Sequence, residues 1–232
     1  MSLKTYGLIC PITKACELLE SRWTIPILAE IWSGSSRFND IRRGVGNISS
    51  ALLSKRLKEM QANGLIERVD DPSTGAVEYV RTDMAIALEP TLHSMAEWAQ
   101  RFIDADVAVS DTNVAALIWK LRRAIIAREL PQRRVVMRFH FSDQGLDFDT
   151  CWLLAQPGSE VELCTTVPDF DIDLFVETSV TSISAILMAR STVPRELDEG
   201  RLYLSGDTRL IKSIGKWLRK SDYADVEGIA TV

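Results

Sequence analysis

The sequence predicts an α+β fold in two units, a mainly helical one followed by a sheet covered by helices. Three observations predict it. Apolar residues recur at helical spacing up to about residue 110, and at strict two-residue alternation after about residue 134. Between these patterns, Asp104–Asn113 is small, polar and acidic, as a linker or helix end is. Glycine and proline punctuation divides the first part into four short helices, a hairpin and one long helix. The 232 residues are therefore read as two domains, 1–106 and 107–232. Hydrophobic residues make up 46% and charged residues 25%, ordinary globular usage that excludes disordered and fibrous classes.

The elements follow in order. Pro11–Leu19 is a helix with proline at its start, where the missing N–H costs nothing. Thr24–Trp32 is a second helix, ended by Ser33-Gly34. Arg37–Arg43 is a third, closed by Gly44. Ser49 caps a fourth that runs to about Asn63, with Gly64 as its stop. Strands Leu65–Asp70 and Val77–Arg81 flank an Asp-Pro-Ser-Thr-Gly turn. A long helix then covers Asp83–Ala105, with Met84, Leu88, Leu92, Met95, Trp98, Ala99 and Phe102 as its apolar positions. A short helix, a tight turn, a basic helix and a hairpin make a winged helix-turn-helix.

The net charge is −5, yet residues 34–58 hold six basic residues against Asp40 alone, a local charge of +5. A contact patch responds to the local field rather than to the total. In the helix after Ser49, Leu53, Leu57 and Met60 share one face, and Ala51, Lys55, Lys58 and Ala62 lie opposite, beside Ser54. Small residues let a backbone approach a groove, and serine and lysine donate to phosphates and base edges. Alone, such a helix reads sooner as a solvated lysine face. The hairpin and the preceding basic helix favour the nucleic-acid reading. The candidate contacts are Arg37, Asn39, Arg42, Arg43, Ser49, Ser50, Ala51, Ser54, Lys55 and Lys58, and the expected partner is a double-stranded DNA operator.

The strings C-P-(x)4-C-E-L-L-E-S-R-W-T-I-P-I-L, S-R-F-N-D-I-R-R, I-S-S-A-L-L-S-K-R-L-K-E-M-Q-A-N-G-L-I-E-R and V-E-Y-V-R-T fall in order over residues 7–102. Together they resemble the HxlR family of winged-helix transcription regulators. The resemblance implies a homodimer on a two-fold operator, with the terminal helices as the dimer interface. It also implies that residues 49–63 enter the major groove and that the wing near 71–76 touches an adjacent backbone. Cys10, just before Pro11, stands where relatives of this family carry a sensing cysteine. Lys14, one turn on, and the helix N-terminus would both favour its thiolate. Cys16 is expected to be buried inside the helix. The alternative for Cys10 is a packed residue with no sensing role.

In the second domain, Val114–Leu130 is a helix with Leu117, Ile118, Leu121, Ile125 and Leu130 inward, stopped by Pro131. Four strands follow. Val135, Met137, Phe139 and Phe141 form the apolar face of the first; Phe148, Thr150, Trp152 and Leu154 that of the second. Val161, Leu163 and Thr165, then Ile172, Leu174 and Val176, continue it. A helix at Ser179–Ala189, a short helix from Pro194, a strand at Gly200–Ser205 and a helix at Asp207–Lys220 complete a sheet roofed by helices. D-I-D-L-F-V-E-T, S-I-S-A-I-L-M-A-R and E-G-R-L-Y-L-S-G-D-T-R-L-I-K-S-I-G-K-W-L resemble the sterol-carrier-protein-like domain, most clearly over 171–218. That resemblance implies a lipophilic pocket walled by Ile183, Ile186, Leu187, Leu210, Ile214, Trp217 and Leu218, the alternative being a closed core.

Other chemistries find little support. His93 and His140 have no motif partners, and the acidic groups at Asp147/Asp149 and Asp169/Asp171/Asp173 read as solvated charge. There is no phosphate-binding glycine motif, no nucleophile elbow and no zinc spacing among the four cysteines. No enzyme activity, cofactor or metal is expected. The longest apolar run, Val114–Trp119, is too short for membrane insertion, and the N-terminal stretch has no signal-peptide core. The expectation is a cytoplasmic, homodimeric DNA-binding regulator whose second domain senses a small lipophilic molecule or adds dimer contacts. Three alternatives stay open: a thiol switch through Cys10, a lipid carrier using the winged helix to dimerise or dock a protein, and, last, an enzyme using the pocket.

Overall fold

The computed structural model describes residues 5–145 and 149–232. The chain packs as two compact units, one ending at His93 and one beginning at Ser94. Helix α5 (Asp83–Phe102) runs from the first into the second. No helix of the described residues is long and apolar enough to cross a membrane.

The first unit begins with α1 (Pro11–Leu19), α2 (Thr24–Trp32), α3 (Phe38–Val45) and α4 (Ser50–Ala62). Strands β1 (Ile66–Asp70) and β2 (Val77–Arg81) pair antiparallel, Arg68 opposite Tyr79, and form the wing. Ile27, Leu28, Ile41, Leu53, Leu57 and Ile66 form the buried core. Fully burying one such side chain is worth roughly 1.5–3 kcal/mol, so the core positions of α2, α3 and α4 set where these helices pack. Helix α3 does not close at Gly44 as expected. It runs through Gly44 to Val45, with Gly46 as the C-cap. Gly44 is there because the Glu30 carboxylate fills the space its side chain would take.

Helix α5 ends at Phe102 rather than Ala105. The Asp104 carboxylate accepts from the N–H groups of Asp106 and Val107 and caps a new helix, α6 (Ala105–Val109), inside the expected linker. The apolar positions of α5 split. Leu92 is buried, but Met84, Met95, Trp98 and Phe102 are exposed.

In the second unit, α7 spans Val114–Ala124, shorter than expected, because Ile125 turns to extended backbone and bridges Leu218. The five inward residues expected of this segment are all buried. Strands β3 (Val135–Phe141), β4 (Thr150–Ala155), β5 (Glu162–Cys164), β6 (Leu174–Thr178) and β7 (Leu202–Gly206) form one sheet in the order β5-β4-β3-β6-β7. Among the described residues, the β3–β6 pairing alone is parallel. Between β6 and β7 lie α8 (Val180–Leu187) and α9 (Val193–Asp198). The expected last helix is two, α10 (Thr208–Lys212) and α11 (Ile214–Trp217), broken at Ser213, whose hydroxyl bonds back to the Arg209 carbonyl at 2.8 Å.

The face of β4 is the reverse of the expected one. Cys151, Leu153 and Ala155 lie in the main core, while Trp152 and Leu154 join Val136 in a small cluster apart from it. Pairing decides this: Phe139 lies opposite Cys151 and Met137 opposite Leu153, so these residues share one side. Asp147 and Phe148, expected at the start of this strand, lie outside the described residues.

Candidate nucleic-acid interface

The Ser49 hydroxyl caps α4, accepting from the Leu52 N–H at 3.2 Å. Leu53, Leu57 and Met60 pin one side of the helix into the core. That leaves Ser50, Ala51, Ser54, Lys55 and Lys58 exposed on the other. Lys55 lies 4.0 Å from Glu59 and Lys58 has no partner among the described residues. Arg56 is half-buried and pairs with Glu59, so it is withdrawn from this face. The three- and four-residue spacing of Arg56 and Lys55 to Glu59 is the signal that the local charge count passed over.

Helix α3 brings the other candidates. Arg37, its N-cap, pairs with Glu78 on β2 at 3.7 Å, and the Tyr79 N–H donates to the Ser36 carbonyl. This stitches the α2–α3 turn to the wing. Arg42 donates to the Ser50 hydroxyl at 2.7 Å, which ties the end of α3 to the first turn of α4. Arg43 pairs with Asp40 at 3.3 Å, and Asn39 is exposed. Of these four, Arg42 is the one bonded to α4, whereas Arg37 sits against the wing and Arg43 pairs within α3.

The wing tip has the opposite sign. Asp71 accepts from the Ser73 hydroxyl, the Thr74 hydroxyl and the Ser73 N–H, which hold its carboxyl well below the usual range. Arg68 is tied to Asp70 at 2.7 Å. The tip therefore presents fixed negative charge.

Cys10 is exposed at the N-cap of α1. The nearby N–H groups of Thr13, then Ile12, and the Thr13 hydroxyl favour its thiolate and lower the thiol's pKa, without closing a side-chain cap bond. The expected helper, Lys14, is not the cause: its ammonium sits 2.9 and 3.0 Å from the two Glu17 carboxylate oxygens. Cys16, expected inside, is exposed. Glu17, the next residue, takes the buried position of α1 instead, accepting also from the Tyr6 N–H and the Thr5 hydroxyl.

In the second unit, Ile183, Ile186, Leu210, Trp217 and Leu218 are buried in the core, and Leu187 and Ile214 pack against it. The Trp217 indole donates to the Leu210 carbonyl at 2.9 Å. The structure thus brings all seven expected pocket residues together as packed side chains. His140 faces away from the main core and sits 3.2 Å from the Thr150 hydroxyl; His93 is exposed, 3.6 Å from Glu89. Among the described residues no three acidic, histidine or cysteine side chains gather as a metal site.

The family model for the HxlR-like helix-turn-helix matches residues 18–107. The HTH-type transcriptional regulator YvaP of Bacillus subtilis (strain 168) is 38% identical over 98 residues, 41% of this chain and 91% of that protein. YodB of the same organism, also an HTH-type transcriptional regulator, is 34% identical over 98 residues, 41% of this chain and 88% of its own length. The solved structure of reduced YodB from B. subtilis is 33% identical with a TM-score of 0.38, covering 41% of this chain and 96% of that one.

Proposed function

The chain belongs to the HxlR-like helix-turn-helix family of transcription regulators, and on that premise we propose a cytoplasmic, homodimeric regulator that reads a double-stranded operator through α4. The carrying observation is the exposed face of Ser50, Ala51, Ser54, Lys55 and Lys58, held at a fixed angle by the Ser49 cap and the Arg42–Ser50 bond. Arg37, Asn39, Arg42 and Arg43 supply flanking phosphate and base contacts. Dimerisation is supported by two exposed apolar groups: Tyr6, Leu8, Ile9 and Ile12 around α1, and Met95, Trp98 and Phe102 on the later half of α5.

The second domain is the proposed effector module. A lipophilic molecule entering among Ile183, Ile186, Leu187, Leu210, Ile214, Trp217 and Leu218 must part a packed core. It regulates only if it binds the DNA-competent and incompetent dimers with different affinity.

The test is fluorescence anisotropy on DNA from upstream of the protein's own gene, against scrambled competitor, at several salt concentrations. Competitor-resistant binding is expected, and Lys55→Ala and Lys58→Ala each lower the salt slope by about one phosphate contact. An unchanged slope removes that lysine from the interface. Failure of every neighbouring fragment to bind, with the dimer intact, overturns the regulator reading.

A second reading rests on Cys10. An exposed thiol with a lowered pKa is suited to react with oxidants or electrophiles, which makes α1 a candidate switch.

A further inference from the structure

The second half of α5 is inverted. Met95, Trp98 and Phe102 stand on one side, 51%, 57% and 70% exposed, with the Trp98 and Phe102 rings 6.0 Å apart. At 100° per residue, Gln100 lies on the opposite side, and it is 5% exposed. The apolar stripe faces out and a polar side chain faces in.

The inward side is held by directional bonds. Gln100 donates from Nε2 to the Met188 carbonyl at 2.7 Å, and its own carbonyl accepts from the Ala230 N–H at 3.0 Å. Arg101 donates to the Glu227 carbonyl at 3.1 Å. At the centre is Arg190, 1% exposed. Its guanidinium donates to the carbonyls of Ala99 (3.0 Å), Ile103 (2.9 Å) and Ala230 (3.1 Å). Ala99 and Ile103 belong to the last turn of α5 and the residue beyond it; the Ala99 carbonyl also accepts from the Ile103 N–H at 3.1 Å, so Arg190 is a second donor there, at the negative end of the helix dipole. No carboxylate is hydrogen-bonded to Arg190 among the described residues; Asp104 acts on it only through its field.

Two further features aim this side chain. Ala189 adopts the left-handed conformation at φ 58°, and the Arg190 N–H closes the end of α8 on the Ala185 carbonyl at 2.8 Å. The Val232 N–H donates to the Arg190 carbonyl at 3.2 Å, so the end of the chain is tied to the same point. Apolar packing tolerates small slips of a helix, whereas a buried guanidinium with three carbonyl acceptors does not. A buried charge without a carboxylate is costly, and here it is spent on holding one turn in place.

We infer that Arg190 is a positioning residue for dimer assembly: from the core of the second unit it fixes the last turn of α5, and so sets how Met95, Trp98 and Phe102 are presented to a second copy of this chain. The inference rests on the dimer reading above. It makes the second unit a part of the dimer platform.

The test is sedimentation equilibrium of the full chain with Arg190→Met, Trp98→Ala and the double variant, together with hydrogen exchange of the amides at 99–103. Arg190→Met is expected to raise the dimer dissociation constant about tenfold and to deprotect those amides, and to add little once Trp98 is already alanine. Arg190→Lys, which cannot span three acceptors, falls between. If Arg190→Met does not fold, Gln100→Met decides, with the same direction expected. A folded Arg190→Met whose dimer matches the wild type, or whose effect simply adds to that of Trp98→Ala, overturns the inference. A monomeric wild type overturns the dimer reading itself.

Discussion

The Glu30 carboxylate lies where a side chain on Gly44 would be, so α2 and α3 pack at a distance only glycine permits. Glu30 is buried and accepts from the Ser35 hydroxyl at 2.7 Å, in the turn that joins these helices. One carboxylate thereby sets both the turn and the approach of α3, and α3 in turn holds α4 through Arg42 and Ser50.

Gly44→Ala must push that carboxylate out of its site. A loss of about 1–3 kcal/mol is expected from overpacking, measured by urea unfolding, with weaker DNA binding alongside. Glu30→Ala should cost less in the Gly44→Ala background than in the wild type, because the two residues compete for one space. Additive losses would show that they do not.

Glu196 supplies a pH dependence. It is fully buried, and burial alone would raise its pKa; the Arg201 guanidinium at 2.7 and 2.8 Å, with the hydroxyls of Ser182 and Ser191, outweighs that and holds the carboxyl at about 2. The folded value lies below the ordinary 4.5, so the stabilisation is complete above about pH 4.5 and is lost as pH falls towards 2. The difference is linked to roughly 3 kcal/mol. Unfolding free energy measured from pH 6 to 2 should drop through this window, and Glu196→Gln should flatten the drop. An identical slope in the variant would assign the acid transition to other groups.

The cysteines should separate by reactivity. Cys10 is exposed with a lowered thiol pKa, while burial pushes Cys151 up to about 12. At neutral pH, site-resolved alkylation followed by mass spectrometry should label Cys10 early and Cys151 only on unfolding. If Cys10 is the switch, Cys10→Ser abolishes the oxidant response of DNA binding and leaves the untreated affinity unchanged. A response that survives this substitution removes Cys10 as the sensor.

Much of the candidate interface was legible because its signals are local. The Ser49 cap, the spacing of Leu53, Leu57 and Met60, and the Asp-Pro-Ser-Thr-Gly turn each act within one element, and α1, α2 and β2 fall at the expected residues. Glu78 as the partner of Arg37 was not legible, since 41 positions separate them and only the β-bridge brings them together. Nor was the face of β4, because Cys151-Trp152-Leu153-Leu154 is apolar on both sides and alternation cannot choose between them. Register with Met137 and Phe139 makes that choice.

By itself the sequence determined the winged helix-turn-helix, the donor face of α4 and the sheet that follows, since hydrophobic period, caps and turn residues act over a few positions of chain. Tertiary structure alone decided that Gly44 serves a buried carboxylate and that Arg37 meets Glu78 on the wing. It alone decided that α5 turns its aromatic stripe outward while Arg190 grips it from within. Ala99 and Arg190 are 91 residues apart in the chain, and no local pattern encodes a bond between groups so distant until folding has brought them within 3.0 Å.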